Sequence, residues 1–386
     1  MLSDRDREIR NDFPIFSSKE YKERPFIYLD SAATTQKPKV VIDAMTHFYL
    51  CEYATVHRAI YDLAAKATEH YSTVRETVRH FLNAALQEEI IFTSGTTDSI
   101  NLVARSFGEA FLEEGDEIII SHAEHHANIV PWQMISLEKK IKLKIVPISD
   151  LGEFDLEAFK KLLSKKTKLV SIAYMTNTTG AIYPVKKIIE LSHQVGAKVL
   201  LDGAQAVGHL PIDVQELDVD FFAFSAHKIY GPTGVGVLYG KLALLEKMPP
   251  HKGGGDMIEK VTFEKTSYQK PPLRFEAGTP MIAEVIGMGA AIKYLEEIGL
   301  EKIRIFEDQL LKAATVKLSQ VKDVRILGTT EKKGPIITFV VEGVHSLDLG
   351  TMLSLKGVFV RTGQMCAEPS LARFGISTAL RISFGV

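Results

Sequence analysis

The chain has 386 residues, 46 Lys+Arg against 48 Asp+Glu, 46% hydrophobic residues and only 2 cysteines. A formal net charge of −2 presents no overall field to a phosphate polymer, so nucleic acid is not an expected partner. Two cysteines far apart in the sequence exclude a disulfide framework and a closely spaced zinc cluster.

The N-terminus carries Asp4, Arg5, Asp6, Arg7, Glu8 and Arg10 where a signal peptide would need an apolar segment. No run approaches the roughly 18 apolar residues of a spanning helix. A cytoplasmic protein is the expectation, with no membrane partner. The length suggests two or three folding units.

In chain order, short β-branched or apolar runs predict strands at Phe26–Leu29, Ile90–Thr93, Glu117–Ser121, Lys168–Tyr174, Lys198–Asp202, Asp220–Ser225 and Gly234–Tyr239. Helical periods lie between several of them, as at Val185–Val195, where Val185, Ile188, Ile189 and Leu191 share a face. Runs such as Val199-Leu200-Leu201 are apolar on both faces, which suits a largely parallel sheet covered by helices on each side. From Lys252 to Pro280 three consecutive glycines and a Pro-Pro pair mark an irregular excursion. Helices are predicted at Ile282–Ile298 and Glu301–Val321, then strands near Pro335–Val341, Val358–Arg361 and Leu380–Phe384, a smaller α+β unit. Cys51 falls in a helical pattern and is expected to be a buried structural thiol.

In open α/β sheets ligands bind at the carboxyl ends of strands, and four motifs sit there. Lys228, in Ser225-Ala226-His227-Lys228, follows an apolar strand; it is either an ordinary solvated lysine or a desolvated Schiff-base nucleophile. Asp202 ends another buried strand and either caps the next turn or meets a cation such as a protonated pyridine nitrogen. Ser94-Gly95-Thr96-Thr97-Asp98 opens a helix, as a plain N-cap or as an anion site, and lacks the Gly-Lys-Ser/Thr ending of a Walker loop. His122, His125 and His126 invite a zinc reading, but no His-Glu-x-x-His helix or nearby Cys completes it; a flat imidazole lying on an aromatic cofactor fits the rest better.

Together, Asp202 with Gln205, Lys228 behind Ser225 and His227, Asn177 in Met175-Thr176-Asn177-Thr178-Thr179-Gly180, and His125 resemble the fold-type I pyridoxal-phosphate enzymes of aminotransferase class V. More closely, the chain resembles group II cysteine desulfurases of the SufS type, from Tyr28-Leu29-Asp30-Ser31-Ala32-Ala33-Thr34-Thr35 to Arg381-Ile382-Ser383-Phe384. The resemblance implies a large cofactor-binding α/β domain over 22–265 and a smaller α+β domain from 1–21 and 281–386 carrying the cysteine loop. The excursion at 252–280 would then point toward a dimer partner.

It also implies pyridoxal 5'-phosphate as cofactor. Lys228 would be its Schiff-base lysine, Asp202 would face its ring nitrogen, and His125 would stack on the ring. Asn177 and Gln205 would lie near the ring hydroxyl, and Thr96, Thr97, Ser225 and His227 at the phosphate. Thr279, in Phe275-Glu276-Ala277-Gly278-Thr279-Pro280, would reach the phosphate of a neighbouring subunit in a homodimer. Cys366, in Arg361-Thr362-Gly363-Gln364-Met365-Cys366-Ala367, would be the nucleophile that carries a persulfide. Arg381 would grip the carboxylate of L-cysteine, with Arg361, His57 and Arg58 at further active-site positions. A SufE- or SufU-like acceptor and iron–sulfur cluster assembly are the implied context.

Three departures stand out. Gln364-Met365 replaces the His-His that usually precedes the cysteine, Ala59 and Tyr61 stand where Gly and His are common, and the chain stops at Val386 where relatives usually continue into a final helical segment. The rival readings are a selenocysteine lyase, another class V aminotransferase-family enzyme that would not need Cys366, and a non-catalytic sulfur-trafficking scaffold.

Overall fold

The computed structural model describes residues 4–18, 25–57 and 60–386. Its main sheet has seven strands in the order Ile90–Thr93, Gly236–Gly240, Phe221–Ser225, Lys198–Asp202, Thr167–Ala173, Glu117–Ser121 and Lys142–Val146. All run in one direction except Gly236–Gly240, which is antiparallel to both neighbours. The expected strands are present, shifted by a residue or two at some ends. The edge strand Lys142–Val146 was not expected; its partly exposed residues lack the continuous apolar signature of the interior strands.

Side chains alternate across this sheet, as strand geometry requires. Ile118, Ile120, Leu169, Leu200, Phe221 and Leu238 face one core with Leu102, Val103 and Trp132 from the helices Thr96–Phe111 and Val130–Lys139. Ile119, Val170, Ile172, Val199, Leu201, Phe222 and Phe224 face the other, covered by Val185, Ile188 and Ile189 of Val185–Gln194 and by the helix Ile282–Ile298. Each such buried aliphatic or aromatic side chain contributes about 1.5–3 kcal/mol, which is why a sheet covered on both faces carries few polar residues between its strand ends.

The C-terminal part contributes a four-stranded antiparallel sheet in the order Val324–Leu327, Ile336–Val341, Ala379–Ser383 and Arg361–Gly363. The helix Leu300–Ser319 supplies Leu311 to its core. The N-terminal strand Ile27–Tyr28 pairs with Val358–Phe359, and Asp30 bridges to Ser383, so the segment after Tyr28 is sewn to this second sheet. The excursion is not wholly irregular: Ile258–Val261 and Thr266–Tyr268 form an antiparallel hairpin whose polar, exposed residues gave no strand signal.

The expectation for Cys51 is overturned. Its thiol is exposed because Phe48–Glu52 is a wide π-helical turn in which Phe48 takes the buried position and Leu50 is 78% exposed. The wider turn rotates Cys51 off the face that an α-helical period would bury.

Arg75 is held in the core by Glu276. Its guanidinium donates to both carboxylate oxygens at 2.7 and 2.8 Å and to the carbonyl of Ile90 at 2.6 Å, while Glu276 also accepts from the Phe92 N–H at 2.8 Å. Removing one partner of such a pair strands a buried charge. Glu276→Ala is therefore expected to cost about 3–5 kcal/mol in urea unfolding, whereas Arg105→Ala, at an exposed ion pair with Glu138, changes stability by about 1 kcal/mol or less.

Candidate active site

The parallel strands all deliver their carboxyl ends to one edge, and the polar motifs sit there together around a cavity of about 200 Å³. The turn after Ile90–Thr93 and the turn before Gly236–Gly240 approach backbone to backbone. A Cβ on Gly236 would lie 2.6 Å from the Cα of Gly95 and 2.5 Å from the carbonyl oxygen of Phe224, and Gly95 has φ of +144°, a conformation open chiefly to glycine. That contact lets the Thr96 N–H donate to Ser225 Oγ at 2.8 Å, with the Thr96 and Ser225 hydroxyls 2.7 Å apart. Hydroxyls and free N–H groups at the start of the helix Thr96–Phe111 make an anion cradle.

Lys228 closes the short turn after Phe221–Ser225 and lines this cavity. Desolvation lowers its ammonium from 10.5 to about 8, opposed by the Asp202 carboxylate. Asp202 is pushed above the usual carboxylate range by the same burial, against the pull of Lys228 and of the Ala204 N–H, which donates to Oδ1 at 2.9 Å. His125 falls to about 3, first by burial and then by the charges of Lys228, His126 and Arg381. Its Nδ1 accepts the Ala127 N–H at 3.0 Å, so the ring proton is on Nε2. At neutral pH His125 is thus an uncharged flat ring facing a cationic lysine.

Directly behind His125 lies a buried network that sequence reasoning missed. Glu124 accepts from Ser121 Oγ and from Asn128 Nδ2 at 2.7 Å, and Asn128 Oδ1 in turn accepts from Trp132 Nε1 at 2.9 Å and from Ser171 Oγ at 2.5 Å. The signal was available as polar Glu124 and Asn128 leading into buried Trp132 at intervals of four. Burial raises Glu124 from 4.5 to about 7 despite these donors.

Arg381 and Arg361 are direct cross-strand neighbours, a like-charge pairing that is unfavourable by itself. Asp30 offsets it, with Oδ1 3.3 Å from Arg381 Nη2 and Oδ2 3.9 Å from Arg361 Nη1. Asp30 is the second residue missed; its signal was a single carboxylate after apolar Tyr28-Leu29. Arg381 Nη1 donates to the carbonyl of Asn177 at 2.8 Å, while its Nε and the Oδ1 of Asn177 are buried without a partner.

The cysteine loop completes the wall. Met365 and Cys366 have φ of 56° and 53°, each costing about 1–2 kcal/mol for a residue with a Cβ. Met365 is buried with Leu327, Leu371 and Ala379, and its carbonyl accepts from Asn177 Nδ2 at 2.8 Å. Cys366 is exposed and lies within electrostatic reach of both Lys228 and Arg381.

Of the residues singled out from sequence, Thr96, Thr97, His125, Asn177, Asp202, Gln205, Ser225, His227, Lys228, Arg361, Cys366 and Arg381 line this one cavity. Gln205 is anchored there by donating from Nε2 to the carbonyl of Ala32 at 2.7 Å. Thr279 and His57 are exposed and do not line the cavity of their own chain. Arg58 lies outside the described residues.

A desolvated amine, a buried carboxylate, a neutral imidazole and a hydroxyl-lined helix start thus line one cavity. The chain belongs to the aminotransferase class V family, whose model matches residues 27–386. It is 52% identical over 376 residues to a cysteine desulfurase of Synechococcus elongatus, covering 97% of this chain and 60% of that protein. It is 46% identical over 379 residues to a cysteine desulfurase of Dickeya dadantii, covering 98% and 92%. The chain spans only 55–61% of the length of the first three curated relatives it matches.

Among solved structures it superposes on the Escherichia coli cysteine desulfurase CsdA with a TM-score of 0.91 at 38% identity, covering 98% of this chain and 93% of the other. The apo cysteine desulfurase of Thermococcus onnurineus NA1 gives 0.93 at 36% identity with the same coverage. Proteins of this family depend on pyridoxal 5'-phosphate. The residues present fit that group: Asn177, whose buried Oδ1 has no partner, lines the cavity with Lys228, Asp202 and the Thr96–Ser225 cradle.

The Glu124 network has a pH consequence. A carboxyl that is raised in the folded state keeps its proton where the unfolded chain has lost it, so its burial penalises folding progressively between about 4.5 and about 7. Glu124→Gln should therefore gain melting temperature relative to the wild type as the pH is raised from about 5 to about 8, measured by calorimetry; a difference that does not move with pH would contradict this.

Proposed function

We propose that the chain is a pyridoxal-phosphate-dependent cysteine desulfurase that converts L-cysteine to L-alanine and takes the sulfur onto Cys366. The observation that carries this reading is that an exposed thiol shares one cavity, and one electrostatic field, with a buried amine and a buried guanidinium. The 46–52% identity to cysteine desulfurases supports it.

In this reading Lys228 would hold the cofactor covalently, Asp202 would serve its ring nitrogen, His125 would lie against its ring, and Thr96, Thr97, Ser225 and His227 would hold its phosphate. When bound, that group supplies an electron sink for charge developed at the substrate Cα. Arg381, which lines the cavity, receives the substrate carboxylate, a planar acceptor suited to a guanidinium. The Lys228 amine, lowered to about 8, sheds its proton easily enough near neutral pH to take one from Cα and return it. Asp202 remains as the fixed negative charge that steadies a cation opposite it. Cys366, as thiolate, attacks the substrate sulfur.

The step balances without an outside oxidant: the Cβ–S bond breaks, the S–S bond forms, Cβ gains a proton to become the methyl of alanine, and Cys366 is left as a persulfide. Passing that sulfur on requires a thiol acceptor, for which a SufE- or SufU-like protein feeding cytoplasmic iron–sulfur cluster assembly is the proposed partner. A homodimer is proposed as well, with exposed Thr279 offered to the partner's phosphate site. Exposed Tyr49, Leu50, Tyr53, Ile60 and Tyr61 are the apolar face proposed for it.

Lys228→Ala should bind cofactor without covalent linkage, lost on denaturation and gel filtration; a retained covalent cofactor would refute the lysine assignment. Cys366→Ser should bind L-cysteine yet lose persulfide formation, and undiminished sulfur release would refute the thiol role.

A further inference from the structure

The loop of this chain carries Gln364-Met365 ahead of the cysteine and so has no imidazole of its own. One nevertheless lies against it, from the other side of the cleft. His126, on the turn that follows Glu117–Ser121, is not used in the reaction described above. Its main-chain N–H donates to the carbonyl of Cys366 at 2.7 Å, and its ring Nε2 accepts the N–H of Glu368 at 3.2 Å. The two contacts bracket Cys366–Ala367–Glu368.

We propose that His126 is a positioning residue for Cys366: its main-chain N–H and its imidazole form a two-point clasp on the Cys366–Glu368 turn that holds the thiol at the cavity rim. The turn needs such a clasp. Met365 and Cys366 both sit at positive φ, where a residue with a Cβ does not stay unless its surroundings fix it. On the apolar side the buried Met365 side chain anchors the loop among Leu327, Leu371 and Ala379. On the polar side Asn177 Nδ2 holds the Met365 carbonyl, and His126 holds the next two points. Residues after the clasp are fixed by the helix Glu368–Arg373, where the Thr178 and Ser370 hydroxyls are 3.0 Å apart.

The role given to His126 is narrow. It touches no reacting atom; it accepts an N–H through a lone pair, which a neutral imidazole can do and a methyl group cannot. An amide oxygen at a similar reach can substitute, which separates the clasp from mere packing.

The relevance to sulfur transfer rests on the proposed desulfurase activity, but the clasp itself does not, and the test reads both. Amide hydrogen exchange over residues 361–371 is measured by mass spectrometry in the cofactor-loaded wild type, His126→Ala and His126→Gln. Loss of one hydrogen bond should speed exchange there about five-fold in His126→Ala, with His126→Gln close to wild type. With L-cysteine, His126→Ala should lower kcat several-fold at nearly unchanged KM, because Arg381 and Lys228 still bind the amino acid, and His126→Gln should recover most of kcat. Unchanged exchange in His126→Ala, or equal acceleration in both variants, would overturn the clasp. A wild type that makes no persulfide while the exchange pattern is as expected would instead refute the desulfurase reading and leave the clasp standing.

Discussion

The fold turns on the burial of two opposite charges at one sheet edge. Lys228 and Asp202 leave neighbouring strands that are apolar on both faces, and each loses most of its hydration there. Separated, either would be a costly buried ion; facing each other across a small cavity, each is the other's main compensation. The remaining site residues are arranged around that pair. His125 is kept neutral partly because Lys228 is cationic, and the Thr96–Ser225 cradle forms because Gly95 and Gly236 let two turns meet at backbone distance.

A second constraint joins the two sheets. Arg381 stands on a strand of the small sheet, yet its guanidinium reaches across to the carbonyl of Asn177 and to Asp30. The cross-strand pairing with Arg361 would be repulsive without Asp30, which is itself held by the bridge to Ser383. The proposed grip on the substrate and the docking of the C-terminal part on the main sheet therefore use the same side chain. The cysteine loop is attached to the same seam through Met365 and Asn177.

Much of this was legible in the sequence. Interior strands such as Lys198–Asp202 announce themselves because both faces are buried, and the motifs at their carboxyl ends stand out as polar residues after an apolar run. Lys142–Val146 and the hairpin at Ile258–Val261 and Thr266–Tyr268 did not, since exposed edges carry polar residues without a clean period. Cys51 was misjudged because a π-turn breaks the 3.6-residue period on which its burial was inferred. Asp30 and Glu124 escaped notice for other reasons: a lone carboxylate such as Asp30 reads as surface until long-range pairing puts an arginine beside it, and the local pairing of Glu124 with Asn128 gives no sign in the sequence that both are buried.

The central claim is that Cys366 receives the sulfur. The most direct measurement incubates the cofactor-loaded protein with L-cysteine and locates the added sulfur by peptide mass spectrometry under non-reducing conditions. One added sulfur atom on the peptide containing Cys366, with Cys51 unmodified and L-alanine formed in equal amount, is the expected result. Sulfur found on Cys51, or alanine formed with no sulfur on either cysteine, would contradict it.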